Sequence, residues 1–425
     1  MNMESVTADV IGGIALVLAA SSLLGALARR LGQPTVIGQI TAGILLGPSL
    51  LGQLPGDPTH QIFTKSSIPF ISVIAQVAVM IFMFGVGYEI DLRSVRRNRR
   101  PILLISAGAI LLPAALGSGI AVGVQHVSLF ADQHSEGRSF VLFFGIAMSI
   151  TALPVLAAIM RERGIAGTPV GDIATAAAGL MDVGAWLILA AAVIGTDAAT
   201  GRPWITTFLL LAGFLGVMIL LVRPALKWWV ERPGTVVARH VPVALVLAAA
   251  AAWATASLGL HPIFGAFVAG LSMPRPGGAP DADVLNAMER TGGLLLPLFF
   301  VVTGLTTDLG ALNGPYLLLL AVILVCAIGG KVFAGYAMAR LGGLGTRESG
   351  LIGALVNTRG LTELVALNVG LSAGIIDGRL FSVLVVMALV TTLMTGPLIT
   401  AVNRRHGETQ APALAFSAAA SRPSG

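Results

Sequence analysis

A succession of long apolar runs is the feature that most constrains the fold of this chain. Thirteen runs of 16 to 28 residues are separated by short polar segments. A helix needs ~20 such residues to cross the ~30 Å hydrocarbon core of a bilayer. Charged residues make up 11% of the 425 residues, against ~25% in a soluble domain. We therefore predict an all-α polytopic membrane protein with about 13 transmembrane helices. The approximate bounds are 8–28, 35–52, 67–88, 101–124, 139–160, 168–195, 203–223, 237–258, 259–274, 285–304, 314–340, 348–373 and 379–402.

The distribution of Lys and Arg predicts how these spans are oriented. With the N-terminus outside, 20 of the 26 basic residues fall on the cytoplasmic side and four on the external side. Cytoplasmic loops of membrane proteins carry such an excess. We expect a multi-pass protein of the cell (plasma) membrane with a cytoplasmic C-terminus. The bias also explains the net charge of +6 without any nucleic-acid partner. The polar, Ala/Ser/Pro-rich segment 403–425 is predicted to be a disordered cytoplasmic tail.

Two spans are predicted to be broken helices. Span five carries Ser149, Thr151 and Pro154 near its middle, and proline removes a backbone donor there. Span twelve carries a similar mid-span cluster: Asn357, Thr358, Arg359, Gly360, Thr362 and Glu363. Spans five and twelve lie seven positions apart in the order of spans, so they run in opposite directions, as in an inverted repeat. Paired broken helices in inverted halves indicate the ion site of a secondary transporter.

One acid and one base lie deep inside other spans. Asp182 is twelve residues into the run that starts at Val170, so it lies ~18 Å along the helix and close to the bilayer midplane. A charge at that depth costs a few kcal/mol and marks a candidate functional site. We predict that Asp182 binds a cation and a proton by turns. The alternative is a buried acid held by a basic partner for stability. Lys331 is either that partner, released when a cation binds, or a lysine that reaches the interface.

Other polar residues in the spans are predicted to support this site. Arg359 and Glu363 are four residues apart and are expected to pair, which would fix the crossing together with Thr358. A direct place for Glu363 in the ion path is the alternative. Gln39 is predicted to form an interhelical hydrogen bond. Ser149 and Thr151 are candidate cation ligands, although such hydroxyls also bond to their own helix.

Several classes of function lack their sequence signals. There is no glycine-rich dinucleotide motif after a strand, no phosphate-binding loop and no pair of closely spaced cysteines. No nucleotide and no cofactor are therefore expected. The single cysteine, Cys326, lies in an apolar run and cannot form an internal disulfide.

Six ordered motifs give the chain a resemblance to a known family. They are QPTVIGQITAGILLGPSLLG, GIAMSITALPVLAAIMRERG, GLMDVGAWLILA, LFFVVTGLTTDLG, GGKVFAGY and NTRGLTELVALNVG. Together they resemble the monovalent cation:proton antiporter-2 family, in the branch of plant cation/proton exchangers and bacterial Kef-like membrane domains. The resemblance covers about residues 8–402.

The resemblance implies an architecture and specific site residues. It implies a sodium/proton-antiporter fold with inverted repeats and two crossed broken helices, elevator-like alternating access and a homodimer. Within a membrane domain of residues 1–402, we expect the core domain mainly at 67–195 and 285–402, with the remaining helices as the scaffold and dimer domain. Asp182 matches the family's essential ion-binding aspartate. Thr151 matches the crossing of the first broken helix, and Lys331 matches a basic residue of the core helices.

The chain departs from the family pattern at two positions. Met181 stands where relatives usually carry Asn or Asp, and Gln39 stands where many carry Glu. A methionine offers no second carboxylate. One titrating acid favours one cation for one proton, whereas loss of a proton from Lys331 would allow two.

The expected function is a secondary-active antiporter that moves Na⁺ or K⁺ against H⁺, with the transported ion at Asp182. It makes and breaks no covalent bond, so it is not an enzyme. Three alternatives stay open. These are a channel-like potassium-efflux pathway, a proton-driven exporter of an ionophore-like small molecule, and a transport-inactive membrane sensor that Met181 would favour.

Overall fold

The fold of this chain is helical throughout the part that the structure describes. The computed structural model describes residues 3–90, 98–126, 137–194, 204–230, 232, 240–275, 279–310 and 312–406. Within these ranges there are helices and turns but no strand. Among the described residues, ten helical segments are long and apolar enough to cross a membrane, and Arg138–Ala147 and Pro262–Ser272 are shorter apolar helices. The predicted all-α polytopic architecture is confirmed, while the number of thirteen spans stays a prediction.

The helices follow the predicted apolar runs closely. In the first half of the chain they are α1 (Met3–Arg30), α2 (Thr35–Leu46), α3 (Pro58–Ile62), α4 (Ile68–Glu89), α5 (Arg99–Gln125), α6 (Arg138–Ala147), α7 (Leu153–Glu162) and α8 (Pro169–Ile194). In the second half they are α9 (Trp204–Val217), α10 (Arg223–Val230), α11 (His240–Ser257), α12 (Pro262–Ser272), α13 (Ala282–Leu305), α14 (Gly314–Leu341), α15 (Thr346–Val356), α16 (Leu361–Ser372) and α17 (Gly378–Arg405). A π-helical turn, Met218–Val222, joins α9 to α10.

Both predicted broken helices are present. The first breaks between α6 and α7, where Ala152 is extended and Pro154 occupies the first turn of α7. Proline is tolerated there because the first helical N–H groups have no partner inside the helix. The second breaks between α15 and α16 at Gly360, whose φ of 153° is a conformation that side chains rarely adopt. A Cβ at Gly360 would also lie 2.6 Å from Val155 Cγ2. Both the backbone conformation and the lack of space for a side chain therefore favour glycine here.

The two breaks cross and complete each other's backbone hydrogen bonding. The Ala152 N–H donates to the Thr358 carbonyl at 3.1 Å. The Thr151 hydroxyl donates to the Val356 carbonyl at 2.9 Å. Unwound backbone at membrane depth requires such partners because hydrocarbon offers none. The predicted crossing is therefore confirmed.

The helices divide into two packing groups. In one, α4 packs against α12 and α13, α2 packs against α1 and α13, and α11 packs against α12. In the other, α5 packs against α6, α8 and α14, while α17 packs against α14, α15 and α16. The spans 67–88 and 285–304, which the sequence assigned to the core, correspond to α4 and α13. Their main contacts are with the first group.

Two predictions concern the C-terminal end of the chain. Helix α17 continues to Arg405, three residues beyond the predicted end of the membrane domain, and its last turn carries two arginines that suit the negative end of a helix. Residues 407–425 of the predicted tail lie outside the described ranges.

Candidate functional site

The site is centred on Asp182, which α8 holds beside the helix crossing. Asp182 is 1% exposed. Neither of its carboxylate oxygens has a hydrogen-bond partner among the described residues. Two groups favour its charged form: Lys331, and the backbone N–H of Leu153 at the positive N-terminal end of α7. A buried carboxylate without a partner is costly, which makes it a vacant acceptor for a proton or a cation.

Lys331 reaches the same place from α14, and it is fully buried. Its ammonium group donates to the Ser149 carbonyl and to the Thr151 hydroxyl oxygen at 2.6 Å. The direct ion pair between Lys331 and Asp182 that the sequence suggested is thus not formed in this conformation. The lysine is held instead by the unwound segment of the first broken helix. A Lys331 that reaches the membrane interface is excluded by its burial.

The two hydroxyl residues of the first break take different roles. The Thr151 hydroxyl lies between Lys331 and the Val356 carbonyl and is 4.0 Å from the Met181 sulfur. The Ser149 hydroxyl instead lies 2.9 Å from the Gly145 carbonyl and 2.9 Å from the Ile110 carbonyl. The Ser149 hydroxyl therefore binds backbone carbonyls of α5 and α6. Only the backbone carbonyl of Ser149 contacts Lys331.

Arg359 and Glu363 form the predicted pair. The Arg359 Nη1 and Glu363 Oε1 atoms are 2.8 Å apart, and both side chains are fully buried. Arg359 also donates to the carbonyls of Ala147 at 2.8 Å and Met148 at 2.5 Å. These carbonyls end α6 and lack partners within their own helix. One guanidinium thus ties the second break to the first.

A threonine-rich face of α17 supports the second break, and the sequence analysis missed it. The Thr392 hydroxyl donates to the Arg359 carbonyl at 2.8 Å. The Thr358 hydroxyl lies 3.4 Å from that of Thr395, and the Asn357 amide donates to the Thr391 carbonyl at 3.0 Å. The signal in the sequence was three threonines, at 391, 392 and 395, in an otherwise apolar run.

Gln39 is the one predicted supporting residue that lies apart from the crossing. It is half-buried on α2, which packs against α1 and α13. Among the described residues its side chain forms no hydrogen bond, so the expected interhelical bond is not made in this structure. We assign Gln39 no part in the polar network.

A cavity leads toward Asp182 from one end of the molecule. It has a volume of about 220 Å³ and is lined by the acids Glu89 and Asp172, and by Leu153 and Gly179. Gly179 lies one helical turn before Asp182 on the same face of α8. Glu89 also lines a second cavity of about 210 Å³, between α4, α7 and α13. The charged residues that line this second cavity are Glu89, Arg161 and Glu289. The acid-rich entrance was not predicted, although acids at the ends of apolar runs were its signal.

At the opposite end, hydrogen bonds link the two packing groups. Asn368 on α16 donates to the Thr303 hydroxyl on α13 at 3.1 Å. The Asp308 N–H donates to the Ser382 hydroxyl on α17 at 3.0 Å. These contacts lie at the C-terminal end of α13, whereas Glu289, which lines the second cavity, lies near its N-terminal end. The acid-lined cavities and these hydrogen bonds are therefore at opposite ends of the helices.

A buried acid beside two crossed broken helices defines a polytopic membrane protein of the secondary-transporter type. The chain belongs to the sodium/hydrogen exchanger transmembrane family, whose model matches residues 16–404. It is similar to "Cation/H(+) antiporter 20" of Arabidopsis thaliana, with 37% identity over 92% of this chain and 48% of the relative. It is also similar to "Na(+)/H(+) antiporter NhaS4" of Synechocystis sp., with 34% identity over 92% of this chain and 96% of the relative.

The chain therefore spans about half the length of the plant relative and nearly the whole of the cyanobacterial one. A third relative, "K(+)/H(+) antiporter 1" of Saccharomyces cerevisiae, is 33% identical over 86% of this chain and 43% of its own length. Among solved structures, the fold is similar to that of the sodium proton antiporter MjNhaP1 from Methanocaldococcus jannaschii at pH 8. The TM-score is 0.66 and the identity 16%, with 94% of this chain and 99% of that one covered.

Proposed function

We propose that this chain is a secondary-active transporter that exchanges a monovalent cation, Na⁺ or K⁺, for protons. The observation that carries the proposal is the Asp182 carboxylate, which is 1% exposed, has no hydrogen-bond partner among the described residues, and lies one turn from an acid-lined cavity. The names of the relatives, which are cation/proton, sodium/proton and potassium/proton antiporters, support the same cargo.

The proposed cycle uses the competition of a proton and a cation for one carboxylate. A cation enters through the acid-lined cavity and binds Asp182 as the proton leaves. Oxygens of the first break complete its coordination once Lys331 withdraws from Thr151 and the Ser149 carbonyl. Met181 offers a soft thioether, a poor ligand for Na⁺ or K⁺. One carboxylate then exchanges one cation for one proton, and no covalent bond is made or broken.

The proposed movement is alternating access of a core against a scaffold. We propose a boundary other than the one expected from the sequence. The core comprises α5–α8 and α14–α17, and α4 and α13 join the scaffold, with support from the packing of α4 and α13 against each other and against α2 and α12. The hydrogen bond between the packing groups at Asn368, at the end opposite the acid-lined cavity, supports a carrier over a continuous pathway, because a channel would connect both sides. Ion concentration gradients drive the movement, since exchange of one cation for one proton moves no net charge and each tenfold concentration ratio is worth ~1.4 kcal/mol.

The proposal includes assembly and location. The chain forms a homodimer through its scaffold and lies in the plasma membrane, with the N-terminus outside and the C-terminus in the cytoplasm, as the distribution of basic residues predicts. In this orientation the open, acid-lined cavity faces the cytoplasm. The partners are the transported cation, protons and the lipid bilayer.

The test is proton flux in proteoliposomes that contain a trapped pH-sensitive dye. Addition of Na⁺, K⁺ or Li⁺ outside should release protons from vesicles with the unaltered chain. Asp182→Asn should abolish the release because an amide cannot exchange a proton. Asp172→Asn, which alters a cavity-lining acid at the start of α8, is the control and should retain a cation-dependent signal. Cation-driven proton flux that persists in Asp182→Asn would remove the proposal.

A further inference from the structure

A third cavity, unrelated to the ion site, lies at the seam between the two packing groups. It has a volume of about 320 Å³ and lies between α8, the α9–α10 segment, α11 and α12. Its floor is buried, with Trp186 4%, Ala190 3% and Phe267 3% exposed. Its outer wall is exposed, with Leu187 54% and Ile219 53% exposed. We call this cavity the seam slot.

The chemistry of the seam slot excludes a polar occupant. Trp186 packs edge-on against Phe264, with ring centroids 5.3 Å apart, and also contacts Phe267. The two hydroxyls in the lining are already used. Thr255 donates to the Ala251 carbonyl and Ser272 to the Val268 carbonyl, within their own helices. The slot thus offers hydrocarbon along its length, and water needs polar partners to occupy a cavity.

One charged side chain stands at the end of the slot. Arg223 is the charged residue in its lining, and it begins α10 directly after the π-helical turn. From Leu211 to Arg223 the slot follows twelve residues, which is ~18 Å of helix. One leaflet of a ~30 Å hydrocarbon core is about 15 Å deep. The slot therefore has the length of a single acyl chain, with a cation at the headgroup level.

The wall that carries Arg223 is little covered by the rest of the protein. Of the residues in the most apolar 18-residue stretch of Ile205–Val230, 11% are buried, the smallest share among the ten candidate spans, against 22% for the next. The same segment continues into a basic, aromatic end, where the Arg232 guanidinium lies 3.3 Å from the centroid of the Trp228 ring. Basic residues at the membrane interface attract anionic lipid headgroups, and tryptophan is enriched at that level.

We propose that the seam slot binds one acyl chain of an anionic phospholipid, whose headgroup is held by Arg223. The chain lies between Trp186 on α8 and Phe264 on α12, which belong to different packing groups. The lipid therefore acts as a removable packing element at the surface along which those groups would slide. The lipid site itself is independent of the proposed exchange, whereas its effect on exchange rests on that function.

Quenching of tryptophan fluorescence by lipids with brominated acyl chains tests the site directly. The full chain is reconstituted in nanodiscs, and the Trp186 contribution is taken as the difference between the unaltered chain and Trp186→Phe. Brominated phosphatidylglycerol should quench this contribution at a mole fraction about fivefold lower than brominated phosphatidylcholine does, since one arginine near the surface favours anionic lipid to that extent. Arg223→Gln should remove the preference, and Arg223→Lys should retain most of it.

The control is Arg30→Gln, which removes an exposed basic residue at the end of α1 and should leave the preference unchanged. Counting bound anionic lipids by native mass spectrometry gives a second measurement that does not need the tryptophan variant. Arg223→Gln should lose one tightly bound lipid that Arg30→Gln keeps. Equal quenching by both lipids would overturn the headgroup assignment. Absence of quenching would overturn the site and indicate that protein, such as a second copy of the chain, fills the slot.

Discussion

Arg359→Met should destabilise this protein severely, because one guanidinium satisfies three groups at the crossing. Its loss leaves the Glu363 carboxylate buried without its partner and the carbonyls of Ala147 and Met148 without a donor. Breaking a buried ion pair by removing one partner costs ~3–5 kcal/mol. An unsatisfied buried acceptor costs ~1–3 kcal/mol. These costs overlap, so the free energy of unfolding should fall by at least ~3 kcal/mol.

The double variant separates the two contributions. In Arg359→Met with Glu363→Leu, no charge is left without a partner, and apolar replacements of buried pairs are often neutral. The two carbonyls at the end of α6 still lack a donor. We therefore expect partial recovery, with the double variant more stable than Arg359→Met but ~2 kcal/mol or more below the unaltered chain.

The measurement is reversible unfolding in mixed detergent micelles, followed by tryptophan fluorescence. Arg290→Met is the matched control because Arg290 is exposed on α13, and its free energy of unfolding should change by no more than ~0.5 kcal/mol. A fall in the free energy of unfolding of less than ~1 kcal/mol in Arg359→Met would contradict this prediction. Full recovery of the free energy of unfolding in the double variant would also contradict it, since the carbonyls would then contribute nothing.

Three further results are expected. Lys331→Met should keep the chain folded yet reduce proton flux at least tenfold in proteoliposomes, because the Thr151 hydroxyl and Ser149 carbonyl lose their shared cationic donor; flux equal to that of the unaltered chain would contradict its role. Asn368→Ala should weaken the contact between the packing groups at the C-terminal end of α13 and increase labelling of a cysteine placed there by a membrane-impermeant reagent, in a chain with Cys326 replaced by Ser; unchanged labelling would show that this bond does not limit access there. Although burial raises it, hydrogen bonds from His240 and two backbone N–H groups lower the pKa of the Asp281 carboxyl on balance. Its stabilising effect is therefore present above the carboxyl's unfolded pKa and is lost as pH falls through the lower folded value. Asp281→Asn should reduce the fall in the free energy of unfolding at acid pH, measured as unfolding over a pH series. An unchanged dependence on pH in this variant would rule out the contribution of Asp281.

Much of the architecture could be predicted from the sequence because a charged or unpaired polar group costs free energy inside the hydrocarbon core of a bilayer. A charge such as Asp182, or a cluster such as Thr358 to Glu363, is conspicuous in an apolar run and has to be explained by function or by a partner. Proline and glycine in the middle of a span gave the positions of both breaks for the same reason, since freed backbone groups need protein partners. Four-residue spacing was sufficient to predict the pair of Arg359 and Glu363.

The partners across helices could not be predicted. Lys331 binds the first break instead of Asp182, and the Ser149 hydroxyl turns to Ile110, because both choices depend on distances between segments far apart in the chain. The division into packing groups was also hidden. In a membrane, lipid-facing and protein-facing surfaces are both apolar, so hydropathy does not show which neighbours a helix such as α4 or α13 selects.

The hydrogen bonds between the two breaks have a consequence for biosynthesis. The Thr151 hydroxyl donates to a carbonyl 205 residues further along the chain, and the neighbouring Ala152 N–H depends on the same late segment. When the ribosome has inserted the first broken helix, the polypeptide that completes it has not yet been made. The nascent first half therefore lies in the bilayer with these hydrogen bonds unformed until the second break has been synthesised. A translational stop before residue 356 would leave a product that quality-control proteases can recognise.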